Sequence, residues 1–481
     1  MQIINYIITT KVISIHKFYG LLIAFVFNSV FLFSQNNWQA VQCYDANASV
    51  RYVLYDSINN EISINQTWDY NICNITFKGN VAYNGLNFHS LNKGINTHDT
   101  LNNVNSSIGI LACVPYMGKT LYGGLFSSVG NPSIQAEAMA LWDGNKWSSF
   151  DGIPFKYNPI GNNSKFVYGF FNDGGKLWIY GQFDSIANKP AQNLAYFDGI
   201  NYYPVNIPVS WNYNVTNAIK YKNEMYFSGG FKNYPINNNN FIIRYNNGSW
   251  STVGSGVKTS LGAIHSLAIY NDTLYIGGEY SKTDGNYGNY LMKWDGKNLT
   301  DAGFGNFNDW GGIRKLLVFN NKLYAFGRFK YAANQKAFGA AFYENGKWTT
   351  NKDSINGVIL SASILNNEIY VGGSFTNMNS NDSIKYLAKL KCPNFDNCKN
   401  QNQSIVYLDK PYPNPFSNEL NLILKDNTNC TLTVFNTLGQ QLIKLNATSN
   451  IKINTSNWDA GVYIMYINNN YFNKTFKMIK Q

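Results

Sequence analysis

Residues 270–278 read YNDTLYIGG and residues 289–296 read NYLMKWDG. An apolar run ends at Tyr270, Asn271–Asp272 forms a turn pair, and an alternating run then reaches two glycines. This is the pattern of a hairpin of short strands, with Asn and Asp tolerating the backbone that a tight turn requires. Gly at a strand end allows close backbone approach or a positive φ. A third strand ends at Trp294-Asp295-Gly296, read as a second turn, and a fourth strand follows it.

The unit recurs. YMGKTLYGG (116–124) precedes AMALWDGNKW (138–147), and LNNEIYVGG (365–373) precedes IKYLAKL (384–390). More worn copies are KLWIYGQF (176–183) with NLAYFDGINY (193–202), EMYFSGGF (224–231) with FIIRYNNGSW (241–250), and KLYAFGRF (322–329) with AAFYENGKW (340–348). The aromatic after the glycine falls at Phe126, Phe183, Phe231, Tyr280, Phe329 and Phe375, in steps of 57, 48, 49, 49 and 46 residues. A strand-built unit near 50 residues points to propeller blades rather than to helical repeats. VLYDSINNEISI (53–64) with AYNGLNF (82–88) is a degenerate first copy, which makes seven.

The seventh copy lacks a fourth strand, because Leu390 runs into Cys392–Pro393. At the other end of the chain, NNWQAV (36–41) resembles the fourth-strand segments GSWSTV (248–253) and NKWSSF (145–150). Trp38 is therefore expected to supply the outer strand of the last blade and close the ring. Closure removes the free sheet edges of a linear array. Six or eight blades stay open, since the first copy is worn. Through the Gly-Gly, aromatic and Trp pattern, residues 36–391 resemble kelch or galactose-oxidase-like β-propellers. That resemblance implies a fold and no activity.

Composition agrees with many short strands. Hydrophobic residues make up 45%, aromatics 16% and charged residues 14%, with 40 Gly. Residues 20–33, GLLIAFVFNSVFLF, are uncharged and follow Lys11, His16 and Lys17. This is the layout of a secretory signal, too short for a comfortable membrane span, with cleavage expected near Ser34–Gln35. Removing a leader with Lys11, Lys17 and no acid takes the formal charge from +11 to +9. The lysines are scattered, without a run that tracks a phosphate backbone, so no nucleic-acid partner is expected. Acidic polysaccharide is a better use of that charge. No transmembrane segment is expected once the signal is cut.

After an Asn- and Gln-rich linker comes YLDKPYPNPFSNELNLIL (407–424). Alternating runs follow at 431–436, 441–445, 451–454, 461–467 and 472–480, and about seven short strands suggest a small antiparallel sandwich. The stretches Tyr412-Pro413-Asn414-Pro415-Phe416, Leu438-Gly439-Gln440, Gly461-Val462-Tyr463 and the Lys477–Lys480 tail resemble the type A C-terminal sorting domain of the type IX secretion system of Bacteroidetes. The resemblance implies the secretion machinery as a partner, passage through the outer membrane, removal of the domain, and anchoring to surface polysaccharide or release.

The expected fold is thus all-β: a seven-bladed β-propeller closed by an N-terminal strand, then a small C-terminal antiparallel β-sandwich. The expected divisions are a signal peptide (1–34), the propeller (35–392), a linker (393–404) and the sorting domain (405–481).

Chemistry is sparse. His89, His98 and His265 are far apart in sequence, and no H-x-x-x-H pair exists, so neither a metal nor a cofactor is expected. Glu137, Glu279, Asp284 and Glu344 are loop carboxylates that spacing does not pair into the two acids a glycosidase needs. No catalytic residue is assigned. Asp173-x-Gly175-x-x-Trp178 partly resembles a sialidase Asp-box but reads as a turn. Six cysteines, Cys43, Cys73, Cys113, Cys392, Cys398 and Cys430, allow 15 full pairings, and Cys392 and Cys398 are close enough to close a small loop. All six Asp-Ser/Thr dipeptides precede Ile or Leu, at Ser57, Thr100, Ser185, Thr273, Ser354 and Ser383. This resembles an O-glycosylation sequon of Bacteroidetes surface proteins. Turn chemistry leading into a strand is the equal alternative, and an intact mass equal to the bare polypeptide would eliminate glycosylation.

The functional expectation is a secreted surface binding protein, adhesin-like or glycan-binding, with a polysaccharide or a host or surface ligand. The alternatives are a polysaccharide-active enzyme with carboxylates on blade loops and a structural surface-layer component.

Overall fold

The computed structural model describes residues 38–390 and 411–481 apart from short internal stretches, the longest being 151–165, 232–240 and 423–429. The chain is almost entirely β, with one short 3-10 turn at Lys282–Asp284 among the described residues. No described helix is long and apolar enough to cross a membrane.

Among the described residues before 391, seven four-stranded antiparallel sheets follow one another. Their first strands are Val50–Asp56, Ile110–Tyr116, Phe166–Asn172, Val215–Tyr221, Ile264–Tyr270, Gly312–Phe319 and Ile359–Leu365. Each first strand packs against the next in chain order, and Ile359–Leu365 packs against Val50–Asp56. The body is therefore propeller-like. In the seventh sheet Trp38–Ala40 lies outermost, antiparallel to Leu387–Leu390, with Trp38 opposite Leu390.

The local sequence explains the hairpins. Between first and second strands, Lys222–Asn223, Asn271–Asp272, Asn320–Asn321 and Asn366–Asn367 all have positive φ. Consecutive left-handed residues match the twist of the flanking strands, and Asn tolerates that conformation best after Gly. Between third and fourth strands the turns are displaced by one residue from the expected Asp-Gly centre. Asp143, Asp198 and Asp295 occupy the first corner, and each carboxylate accepts two backbone N–H groups. Gly144, Gly199 and Gly296 follow with φ near +100°. Asp173 does the same for Gly175 and Lys176, so the Asp-box-like segment is a hairpin turn.

The paired glycines have separate jobs. A Cβ on Gly123, Gly277 or Gly372 would meet inner-strand side chains of the following sheet, for Gly372 Val50 Cγ1 at 2.3 Å. A Cβ on Gly181, Gly278 or Gly373 would meet a backbone carbonyl oxygen at the start of its own sheet's first strand or just before it, at 1.9, 2.3 and 2.0 Å. That second approach is forced by a feature the sequence does not display. All seven first strands slip register at the same place, leaving Arg51, Leu111, Tyr168, Thr216, His265, Arg314 and Leu360 as the bulged residues.

Sheets are joined by aromatic packing and a few repeated polar bonds. The period-marking aromatics Phe126, Phe183, Phe231, Tyr280, Phe329 and Phe375 are all buried. Fourth-strand tryptophans Trp147, Trp250 and Trp348 donate their indole N–H to the Leu91, Asn206 and Ala302 carbonyls, just past the fourth strand of the preceding sheet. Ser266 Oγ accepts from Leu316 N in the next sheet at 3.0 Å, and Ser361 Oγ accepts from Val53 N at 3.1 Å. Asp56, 1% exposed, accepts from Thr120 and Tyr122 of the second sheet.

The C-terminal module has six described strands rather than about seven. Gln441–Ala447, Cys430–Asn436, Gly461–Asn468 and Asn473–Lys480 form one sheet, and Glu419–Leu422 pairs with Ile451–Asn454. Leu420, Leu422, Leu432, Val434, Met465 and Met478 share its core with Phe416. The Tyr412–Phe416 motif has a physical reason. Pro413 and Pro415 lack an N–H, and the Asn414 side chain makes ladder-like bonds to Ile479 N and Lys477 O at 2.9 Å. Phe416 N then donates to Ile479 O, which zips the motif onto the last strand.

Candidate functional site

The seven bulges lie at one end of the inner strands, and in six of the seven sheets the second strand reaches its glycine at that same end, with Asn65 and Gln66 there in the first sheet. A bulge turns an extra side chain out of the ladder, so this end carries a ring of residues free of sheet pairing. Arg51 is exposed, and Tyr168, Thr216, His265, Arg314 and Leu360 are half-buried. The residue after the second glycine stands beside the bulge, and these positions hold Gln182, Glu279, Arg328 and Ser374.

Glu279, His265 and Arg314 meet there. One Arg314 Nη donates to His265 Nε2 at 2.8 Å, and the other donates to the Glu279 carboxylate. Glu279 Oε2 is 3.3 Å from His265 Nε2. In the neutral ring Nε2 accepts from Arg314; protonated, it would donate to Glu279 instead. Gly312 makes the room, since a Cβ there would come within 2.4 Å of Glu279 Cγ. The hydrogen bond from His265, and then the Arg314 charge, hold the Glu279 carboxyl below its ordinary range. A depressed carboxyl stabilises the fold fully above its unfolded pKa of about 4.3, and that contribution fades as pH falls through the lower folded value. The three side chains are 23–29% exposed, so the effect is small. Glu279→Gln is expected to flatten the loss of melting temperature between pH 6 and pH 3 by about 1 °C, measured against the parent chain.

Other groups gather near the ring. Phe166 stacks on Tyr168 with centroids 5.6 Å apart and planes at 7°. Burial raises the hydroxyl pKa of Tyr52 and of Tyr168. Lys315, next to Arg314, has its pKa lowered by burial. A concavity of about 590 Å³ runs along the outer strand of the fifth sheet, lined by Lys282, Tyr287, Asn298, Thr300 and Asp301 among others. Tyr287 is 53% exposed there, and Lys282 bridges Asp301 at 2.8 Å.

The residues singled out by sequence fall in scattered places. Of the loop carboxylates, Glu279 belongs to the ring. Asp284 caps the short turn through Ser281. Glu344 lies at the opposite end of its sheet, 3.2 Å from Lys322. His89 pairs with Glu61 at 2.7 Å, far from His265. Among the described residues no three His, Cys, Asp or Glu side chains form a metal-sized group. Cys113 and Cys430 are free thiols, and Cys43, Cys73, Cys392 and Cys398 lie outside the described residues. Ser57 and Thr273 sit at turns between first and second strands, Ser185 opens the Ser185–Ile186 strand, and Ser354 lies before Ile359–Leu365. Thr100, Ser383, Gly439, Ser34 and Gln35 lie outside the described residues. Trp38 is 2% exposed against Ile369, Val371 and Ala388, and Tyr412, Pro413, Asn414, Pro415 and Gly461 lie in the C-terminal module.

An all-β, propeller-like body with a set of bulged, mostly polar residues at one end is joined to a C-terminal β module, and comparison with known proteins identifies the module. Residues 410–481 match the family described as secretion system C-terminal sorting domain. The chain therefore carries a type IX sorting tail, which directs export across the outer membrane to the cell surface or beyond. No curated protein matches the chain. Similar solved structures include U3-55K, 10% identical, covering 74% of this chain and 98% of that one with a TM-score of 0.42. The RRP9 WD40 repeats are 10% identical, with 74% and 99% covered and a TM-score of 0.40. BamB from Moraxella catarrhalis is 9% identical, with 75% and 97% covered and a TM-score of 0.29. Likenesses of this strength carry no function across.

Proposed function

We propose that this chain is an exported surface binding protein, a seven-bladed kelch-like propeller of Bacteroidetes type whose bulge ring grips glycan. On this reading residues 1–34 are a cleaved leader, Trp38–Ala40 closes the ring, and the tail from about residue 405 is removed after export. The packing of Ile359–Leu365 on Val50–Asp56 supports closure, as does the Ser361–Val53 bond that repeats Ser266–Leu316.

One observation carries the binding reading. The bulges and the positions beside them present arginine, tyrosine, threonine and histidine, and the carboxylate among them, Glu279, is engaged by Arg314. Guanidinium, hydroxyl and aromatic groups hold and stack sugars. Glycoside hydrolysis needs two carboxylates within about 10 Å of each other, one of them free to donate a proton. A glycan array probed with the mature chain tests the reading, and at least one glycan class is expected to bind. Binding to none would favour a structural surface-layer role. Release of reducing sugar that disappears in Glu279→Gln would favour the enzyme.

A further inference from the structure

The chain has 38 basic residues, and only Arg51, Arg244, Arg314 and Arg328 are arginine. Arg244 is a structural pair, 3.0 Å from Glu224 and packed over Trp294. The other three lie at the bulge end. Arg51 and Arg314 are bulged residues of the first and sixth sheets. Arg328 lies opposite Gly312 in the sixth sheet, in the position Glu279 holds in the fifth. Arg51 and Arg328 are exposed and form no ion pair with a described residue. Arg314 spends two donors on Glu279 and His265, while its Nε has no partner. Lys315 follows it on the same strand, and the ring positions supply one carboxylate, Glu279, against these cations.

Arginine is chosen over lysine where a planar fork must meet a carboxylate or sulfate in a fixed orientation. Scattered lysines give a chain its overall charge without that geometry. Confinement of three of four arginines to one end of the sheets, two at bulges and one on the second strand beside a bulge, is therefore a recognition pattern rather than a solubility pattern. The stacked Phe166–Tyr168 pair at the bulge of the third sheet supplies a flat apolar face suited to a sugar ring.

We infer that the bulge ring binds an acidic polysaccharide, with Arg51, Arg314 and Arg328 holding its carboxylate or sulfate groups and Tyr168 packing on a sugar face. This rests on the glycan-binding reading above and narrows it to charged glycans. Arg314 is held in place by Glu279 and His265, whereas Arg51 and Arg328 are free to close on the polymer. Phosphate-bearing polymers would meet the same charge. In single-stranded DNA the charge sits on the linkages between sugars rather than on the sugar ring itself, so such polymers serve as competitors in the test.

The test uses the mature chain with polygalacturonate, dextran sulfate, neutral dextran and single-stranded DNA, titrated at 50 and 300 mM NaCl. Polygalacturonate or dextran sulfate is expected to bind at least tenfold more tightly than neutral dextran, and whichever of the two binds identifies the acidic group. Arg51→Ala and Arg328→Ala are each expected to weaken binding about tenfold, a charge-assisted hydrogen bond being lost in each. The doubly substituted Lys146→Ala/Lys347→Ala chain removes two exposed cations from turns at the opposite end and is expected to stay within twofold of the parent. Equal weakening in that control, or DNA that binds as tightly as the acidic glycan, would mean that net charge alone is at work and would overturn the inference. Tight binding of neutral dextran unaffected by Arg51→Ala would overturn it while leaving glycan binding intact. Binding of no glycan would remove both readings.

Discussion

Gly373→Ala is expected to lower the melting temperature of the chain by about 4 °C, corresponding to about 3 kcal/mol in a body of this size. The new Cβ would sit 2.0 Å from the Val358 carbonyl oxygen and 3.0 Å from Ile359 Cα. Both are backbone atoms at the entry to the bulged first strand, so neither can swing aside as a side-chain tip would. Relief requires the bulge to flatten or the second strand to retreat, and either movement disturbs the buried Phe375. Gly175→Ala is the matched control, because nothing lies within 4 Å of its Cβ and its φ is not in the left-handed region. Melting of the two variants side by side checks the argument. An unchanged Gly373→Ala would mean that the glycine pair does not hold the bulge.

The second large effect concerns the opposite edge of the same sheet. Trp38→Ala is expected to cost about 3–5 kcal/mol, or about 5 °C, by emptying a site packed against Ile369, Val371 and Ala388. The strand it belongs to is three residues long, so little besides this ring holds it against Leu387–Leu390. Loss of the strand would expose the backbone edge of Leu387–Leu390, and edge exposure promotes association between chains. Trp38→Ala should therefore also show concentration-dependent light scattering on warming, and Trp38→Phe should not. A Trp38→Ala chain as stable and as monodisperse as the parent would show that the N-terminal strand does not close the ring. Trp38 Nε1 has no partner among the described residues. Trp147, Trp250 and Trp348 find theirs just past the fourth strand of the preceding sheet, and here residues 351–352 lie outside the described set.

Much of the strand order was legible in the chain because each cue is local. Asn-Asn and Asn-Asp turns, alternating strands and glycine pairs act within a few residues, so they repeat visibly every 46 to 57 residues. The sorting motif is legible for a similar reason, since prolines and an asparagine that replaces their missing ladder bonds form a compact signature. The displaced Asp turns show the limit of local reading. Asp143, Asp198 and Asp295 were correctly placed in turns, but only the hydrogen bonds reveal that Asp is the corner that accepts and Gly the residue that bends.

The bulge ring was not legible. A bulge is a mismatch of register between two strands, and nothing in either strand's own sequence announces it. His265, Glu279 and Arg314 were visible as a lone histidine, an unpaired loop acid and an ordinary arginine, spread over 50 residues and two sheets. A signal was present in retrospect, because Tyr168, His265 and Arg314 each stand 13 residues before the last glycine of the second strand, Gly181, Gly278 and Gly327, although Arg51 faces no such glycine. That offset gains meaning only when the first strand is seen to double back beside the second. The sequence by itself therefore determined the repeated β unit, the candidate closing strand and the sorting tail, all of which depend on short-range backbone chemistry. Tertiary structure alone decided which side chains face one another at the end of the inner strands, because that adjacency is made by packing one sheet against the next.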